Sequence, residues 1–218
     1  MWAGYDQTNK SIEAGRYRFW PIRKTMVRKM GANDLPSSLS LLGEALGRRY
    51  KTREGLEPFV RQSDGLCSYV AEDGGQIVGA ATGEIVTDGS LDASLPANTS
   101  SRVLASMPGF EFNCVGILRS IAVSESSKGR GIATALSSAV VDELWNNGAT
   151  WIISIGWTDT DGCHIKGVLE GIGFSRVATL PGFWTSDSEE KGYECPTCGV
   201  SCKCQAELFL LRRSEVQS

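Results

Sequence analysis

Leu35, Leu39, Leu42 and Leu46 recur at the spacing of one helical face. The pattern predicts a helix that starts at the cap chemistry of Asn33 and Asp34, takes Pro36 into its first turn and runs as far as Arg49. A shorter helix is predicted near Arg53 to Gln62. Ahead of both, "RYRFWPIRKTMVRKM" predicts a first strand around Lys24 to Met30. Its Arg16, Arg18, Arg23, Lys24, Arg28 and Lys29 read as a solvated strand face. Residues 1–16 have no periodicity and read as an arm. "CSYVAED" and "QIVGAATGEIVT" predict two strands joined by "DGG", a hairpin signal.

Further along, residues 88–112 are rich in Ser, Ala, Asn and Pro and predict a long inserted surface loop, with one helical turn at Val103 to Met107. "CVGILRSIAV" predicts a strand. Gly129 to Asn146 predicts a helix with Ile132, Ala133, Leu136, Ala139, Val140 and Leu144 on one face, ended by Gly148. "TWIISIGW" is a buried-type strand. Thr160 to Ile172 predicts a glycine-weakened helix, "GFSRVATL" starts a strand, and "AELFLLRR" closes the chain as another. There is no internal repeat. The order of elements is that of a mixed α/β layer, with helices on a central sheet. After the arm, residues 17–218 read as one domain.

Composition narrows the class of protein. The 218 residues, 41% hydrophobic, suffice for a sizeable core. A net charge of −3 and a pI near 5.3 give no global basic field for nucleic acid. No stretch approaches the ~18 consecutive apolar residues of a membrane span, and the first twenty residues lack the apolar middle of a secretory signal. The expectation is a cytoplasmic protein without a membrane partner; a homodimer is left open.

The stretch "SSKGRGIATAL", Ser126 to Leu136, joins a predicted strand to a predicted helix through a nearly bare backbone. A mononucleotide P-loop would need a lysine and hydroxyl that are absent here, and Thr134 stands where the dinucleotide fingerprint needs its third glycine. The remaining anion site is a turn whose amides face a pyrophosphate, aided by the positive end of the helix. Gly129, Arg130, Gly131, Ile132 and Ala133 fit it.

In that context "LRSIAVSESSKGRGIATALSSAVVDEL" resembles the acyl-CoA-binding segment of the GNAT (GCN5-related) N-acetyltransferases. That segment reads Arg or Gln, two residues, Gly, one residue, Gly or Ala. Lys128 holds the first position, a departure that keeps a cation near phosphate; Gly131 holds the fourth and Ala133 the sixth. "VLEGIGFSRV" resembles the family's next helix, ending in Gly173 and Phe174. The resemblance covers roughly Ile22 to Leu180 plus the last strand.

It implies an open, mostly antiparallel sheet with one splayed parallel pair, around Ser120 to Val123 and Ile153 to Trp157. It implies transfer of acetyl from acetyl-CoA to an amine by direct attack. Cofactor contacts would come from Ile121, Ala122, Val123, Lys128, Gly129, Arg130, Gly131, Ile132, Ala133 and Thr134, with an edge N–H stabilising the oxyanion. The acceptor must lose a proton, since alkyl ammonium pKa values lie near ~10. Glu84, on a strand, is the favoured base; Asp159, Asp161 and Glu111 are alternatives. The tyrosine with which many relatives protonate the thiolate is replaced by Leu169, and a frequent asparagine by Gly162. Helical projection turns Cys163 and His164, the single histidine, away from that line. Tyr193 is the substitute acid. A non-catalytic acyl-CoA sensor is the alternative that these departures raise.

Cys195, Cys198, Cys202 and Cys204 follow as C-x2-C-x3-C-x-C. Pro196 and Gly199 let the chain turn so that amides face the sulfurs, and four thiolates suit a structural zinc. The clip, residues 193–204, would hold down a lid over the acceptor. Asp187, Glu189, Glu190 and Glu194, with Phe183 and Trp184, give that lid an acidic, aromatic mouth suited to a cationic small molecule or a protein amine. Cys67, Cys114 and Cys163 read as small apolar groups. A zinc-ribbon module recruiting protein or nucleic acid is the remaining alternative.

Overall fold

The computed structural model describes residues 25–63, 65–87 and 114–213. The chain runs β1 (Met26–Lys29), a 3-10 turn, α1 (Leu35–Leu46), α2 (Arg53–Arg61), β2 (Leu66–Asp73), β3 (Gln76–Thr87), β4 (Cys114–Val123), a second 3-10 turn and α3 (Ile132–Asn146). It continues through β5 (Trp151–Asp159), β6 (Gly162–Cys163), α4 (Lys166–Gly171), β7 (Ser175–Leu180), α5 (Thr185–Glu190) and β8 (Gln205–Arg212). The sheet order is β1-β2-β3-β4-β5-β8-β7, with β6 paired to β5. Every pairing is antiparallel except that of β4 with β5. This is the open mixed sheet that the sequence resemblance implies. Gly74 (φ 60°) and Gly75 (φ 83°) turn β2 into β3, and two left-handed residues match the twist of a tight hairpin.

The long helix α3 lies across one face. Its Leu136, Val140 and Leu144 are fully buried with Ala71, Ala81 and Leu118 of the sheet. Each such side chain contributes roughly 1.5–3 kcal/mol. The sheet is bare beneath it: a Cβ on Gly83 would stand 2.4 Å from Val140. On the other face, α1 and α2 bury Leu42, Leu56 and Phe59 against Val70, Ala80 and Ala122. Beside them lies a cluster of Val86, Ile117, Ile153, Phe183 and Leu208.

Three segments depart from the expectations. Helix α1 stops at Leu46 rather than Arg49, because Gly47 takes φ 115° and the chain turns against Tyr193 and Glu194. The helix expected from Thr160 begins only at Lys166. The Asp159 carboxylate accepts the Asp161 N–H at 2.9 Å, an Asx turn, and the chain doubles back so that Gly162 and Cys163 pair with β5. Helix α5 has no apolar periodicity to predict it. It is fixed by polar contacts: the Ser188 hydroxyl, buried, donates to the Tyr193 carbonyl (2.8 Å) and accepts the Cys202 N–H (3.1 Å). The arm, the loop at 88–112 with its turn at 103–107, Glu111 and Lys24 lie outside the described residues. Among the described residues no helix is long and apolar enough to cross a membrane.

Candidate active site

Strands β4 and β5 pair over only four residue pairs, Val115–Leu118 with Trp151–Ser154. The Ser154 hydroxyl donates to the Leu118 carbonyl at the last of them (3.0 Å). Immediately beyond, the β3–β4 register passes from Gly83↔Leu118 to Thr82↔Ser120, leaving Arg119 as the extra residue of a bulge. A bulge bends its strand, and here it coincides with the place where β4 and β5 part. The Ser124 N–H reaches the Val78 carbonyl on the β3 side (2.9 Å). Strand alternation therefore turns the N–H and C=O groups of Ile121 and Val123 toward the gap.

The gap is a groove of about 660 Å³ that runs along this edge to the start of α3, with Ile155, Gly156 and Trp157 opposite. Ile121, Ala122, Val123, Lys128, Gly129, Gly131, Ile132, Ala133 and Thr134 all line it. Gly129 (φ 74°) and Gly131 (φ 75°) are left-handed, and a Cβ on either would project into open space. The first helical bond runs from the Ala135 N–H to the Gly131 carbonyl (3.0 Å). The N–H groups of Ile132, Ala133 and Thr134 thus precede the helical ladder and face the groove end. Arg130 departs from its expected place. Its guanidinium pairs with Asp73 (2.8 Å) and donates to Thr25 (3.0 Å), and its side chain does not line the groove.

A second cavity, of about 230 Å³, meets the groove at the bulge; Tyr50, Arg119, Ile155, Trp184 and Tyr193 border both. Its walls are the α1–α2 connection and the segment around α5. These are joined by the Glu194 N–H to the Arg48 carbonyl (3.0 Å) and by the Tyr193 hydroxyl to the Leu46 carbonyl (2.8 Å). A Cβ on Gly47 would lie 2.4 Å from the Glu194 carbonyl, so only glycine permits this approach. Tyr50, between the cavities, shares a hydrogen bond with Ser120 Oγ (3.0 Å), and burial raises its phenol pKa. Arg49, Lys51, Arg119 and Lys191 line the second cavity, with Asp187 as its lining carboxylate among the described residues. Burial, then the neighbouring Arg119 charge, pushes the Lys51 ammonium down to about 8, partly opposed by Glu84.

The expected catalytic residues are dispersed. Glu84 is buried on β3 and ion-paired with Arg119; it borders neither cavity. Asp159 also borders neither. It holds His164 Nε2 (3.1 Å) and accepts from Thr197 (3.3 Å), and the His164 contact lowers its pKa. Asp161 starts the turn into β6. Tyr193 borders both cavities, but its hydroxyl proton is given to Leu46. Leu169 is fully buried in the core under α3. His164, set aside by helical projection, lines the groove and faces the Trp157 ring, because residues 162 and 163 are strand. The acidic mouth is not realised at the cavity. Glu189 and Glu190 are exposed outside it, Glu194 pairs with Arg48 (3.5 Å), and Asp187 pairs with Lys191 (2.7 Å). Tyr50, Lys51 and Arg49 carry no sequence signature, since they sit in a connection whose place is set by Gly47 and the far segment at Tyr193.

The four cysteines converge. All their sulfurs lie within 4.8 Å of one another, and Cys204 is 3.7 Å from both Cys195 and Cys198. Ligands at about 2.3 Å in a tetrahedron stand about 3.8 Å apart, so the set fits one zinc ion. Cys195 and Gly199 exchange N–H to carbonyl bonds at 3.0 Å, closing the turn, with Gly199 left-handed. The clip packs on Tyr193, Trp184, Trp157 and Tyr50, the residues around the junction of the two cavities.

Solved structures with this fold include NAA60 of Arabidopsis thaliana in complex with acetyl-CoA, with a TM-score of 0.62 and 18% identity over 88% of this chain and 100% of that one. The ribosomal-protein-S18-alanine N-acetyltransferase of Escherichia coli gives 0.58 and 14% over 89% and 99%. The NatC complex bound to Gag peptide and CoA gives 0.60 and 13% over 88% and 99%. A search of curated protein sequences finds no match. The family model for the acetyltransferase (GNAT) family matches residues 37–174, well over half of the chain. The divided sheet, the glycine turn and that match lead to one conclusion: the chain belongs to the acetyltransferase (GNAT) family.

Proposed function

We propose that this protein transfers acetyl from acetyl-CoA directly to an amine, with the cosubstrate in the groove and the acceptor in the second cavity. The observation that carries this is the meeting of the two cavities at the Arg119 bulge, where β4 and β5 separate. Amides from Gly129 to Thr134 cradle the pyrophosphate, helped by the positive end of α3. Lys128 adds a cation from the rim, where Glu125 holds it at 2.6 Å. The edge groups of Ile121 and Val123 pair with the amides of the pantetheine arm.

From the wall of the second cavity, Asp187 receives the proton that the attacking amine gives up at the junction, directly or through one water. Tyr50 delivers a proton to sulfur as the carbon–sulfur bond breaks and the carbon–nitrogen bond forms. Tyr50 suits this better than Tyr193: the Tyr193 hydroxyl donates to the Leu46 carbonyl at 2.8 Å, whereas the Tyr50 hydroxyl has only a long 3.4 Å bond to the Arg119 carbonyl to give up. The five residues bordering both cavities include no thiol or aliphatic hydroxyl, which favours direct attack over an acylated protein. Cys195, Cys198, Cys202 and Cys204 would hold a zinc ion, which would cross-link the wall that carries Trp184 and Tyr193.

Release of free thiol from acetyl-CoA, measured across a panel of amines, tests the reading. Intersecting rather than parallel initial-rate plots are expected, and Tyr50→Phe is expected to lower kcat about a hundredfold, within the range of a lost general acid. Parallel plots, or an unchanged kcat, would remove direct attack or Tyr50 respectively. Failure of CoA to bind would remove the whole proposal.

A further inference from the structure

We infer that the acceptor is a small amine that also carries an anionic group, a carboxylate or a phosphate. This rests on the proposal that the second cavity receives the acceptor, and deepens it. The cavity is lined by four cations and one carboxylate among the described residues. Asp187 is matched by Lys191 and Arg119 by the buried Glu84, so neither pair leaves a surplus of negative charge. Arg49 and Lys51 remain, with no carboxylate partner among the described residues.

Both are held in place. Arg49 has φ 60°, a conformation that a residue other than glycine adopts only when its surroundings impose it, and its guanidinium lies over Gly192. The Lys51 ammonium rests 4.5 Å from the centre of the Phe59 ring, half-buried at the cavity wall. Burial first, and then the Arg119 charge, lower its pKa, and the opposing pull of Glu84 offsets this only in part. A cationic acceptor would add to that repulsion, whereas an anion would relieve it and form charge-assisted hydrogen bonds.

Size points to a small molecule. About 230 Å³ is below the 300–1,000 Å³ typical of sites for drug-sized ligands. One side is also closed, where Arg48 pairs with Glu194 and Tyr193 reaches Leu46.

The test compares ethanolamine, O-phosphoethanolamine, β-alanine and 1,3-diaminopropane, in two measurements on the full chain. The first is kcat/KM with acetyl-CoA. The second is calorimetric binding to protein saturated with CoA, which reads the cavity whether or not turnover occurs. O-phosphoethanolamine or β-alanine is expected to exceed ethanolamine and the diamine at least tenfold in both. The comparison of phosphate with carboxylate decides which anion fits.

Lys51→Met and Arg49→Met are expected to erase the preference through KM and affinity, and Lys51→Arg to restore most of it. Turnover that favours the diamine or ethanolamine would overturn the inference and leave the acetyltransferase reading standing. Selective binding of the anionic amines without turnover would do the reverse. Absence of binding by all four, or a preference unaffected in folded Lys51→Met and Arg49→Met, would also overturn the inference.

Discussion

Individual residues act here through what they leave out as much as through what they supply. Gly131 offers the groove amides and empty space, and a glutamate there would fill the space with charge. Gly131→Glu is expected to weaken CoA binding about a hundredfold, the loss of one or two charge-assisted bonds of ~1.5–3 kcal/mol. Its melting point should fall as well, because φ 75° strains any L side chain even though nothing lies within 4 Å of the new Cβ; Gly131→Ala, which carries the same strain without the charge, serves as the control, and calorimetry with CoA and thermal melting separate the two effects. Lys51 makes a prediction of the opposite kind. Its pKa falls from 10.5 to about 8 on folding. Below pH 8 the ammonium is charged in both states and the cost of burying it is felt in full. Between pH 8 and 10.5 the unfolded chain binds more protons, so stability rises with pH. The stability advantage of Lys51→Met over the parent should therefore shrink as urea unfolding is repeated from pH 8 towards 10.5. An advantage constant across that window would mean that the lysine is not desolvated.

At the scale of elements, apolar periodicity revealed α1 and α3, each of which buries a face, and apolar runs with a hairpin signal revealed most strands in the described residues. It missed α5, which is anchored by Ser188 hydrogen bonds, and overextended α4, where an Asx turn at Asp159 wins over glycine-weakened helix. The groove along β4 and the start of α3 was legible because strand, bare turn and helix are contiguous in sequence, all but the Arg130 side chain. The second cavity was not. It is assembled by Gly47 meeting Tyr193 and Glu194 across the fold, and no local pattern records which charges that contact brings together. Hence acidic residues around α5 suggested a cationic acceptor, while the cavity itself gathers Arg49 and Lys51. The cysteine segment was legible by spacing alone. Cys198→Ser should lower bound zinc, measured by elemental analysis, together with the melting temperature. It should also raise KM for the acceptor more than Kd for CoA, because the clip packs on Trp184 and Tyr193 rather than on the glycine turn. Equal melting of both proteins, with no metal in the parent, would dismiss the zinc clip.

For the whole molecule, the two flanks of the sheet are joined by very little hydrogen bonding. Strands β1–β4 form one antiparallel block and β5, β8 and β7 another, and the four residue pairs at Val115–Leu118 are the ladder between them. Packing under α3, the Val86–Phe183 cluster on the opposite face, and the contacts of Leu46 with Tyr193 and of Arg48 with Glu194 supply the remaining cohesion. A pantetheine arm bonded to Ile121 and Val123 would extend that seam by the length of the groove. Saturating CoA at 100 times its Kd should stabilise the fold by about 2.7 kcal/mol. The gain should be concentrated in slower amide exchange along Ser120–Val123 and Ile155–Trp157 rather than spread evenly. A uniform slowing would show that the blocks already move as one.

The short ladder also has a mechanical meaning. An enzyme whose halves are sutured at one end can breathe at the other, so product departure need not disturb the packed core. Resistance to proteases and to heat would then track cellular thioester supply, making the nucleotide a splint as well as a donor.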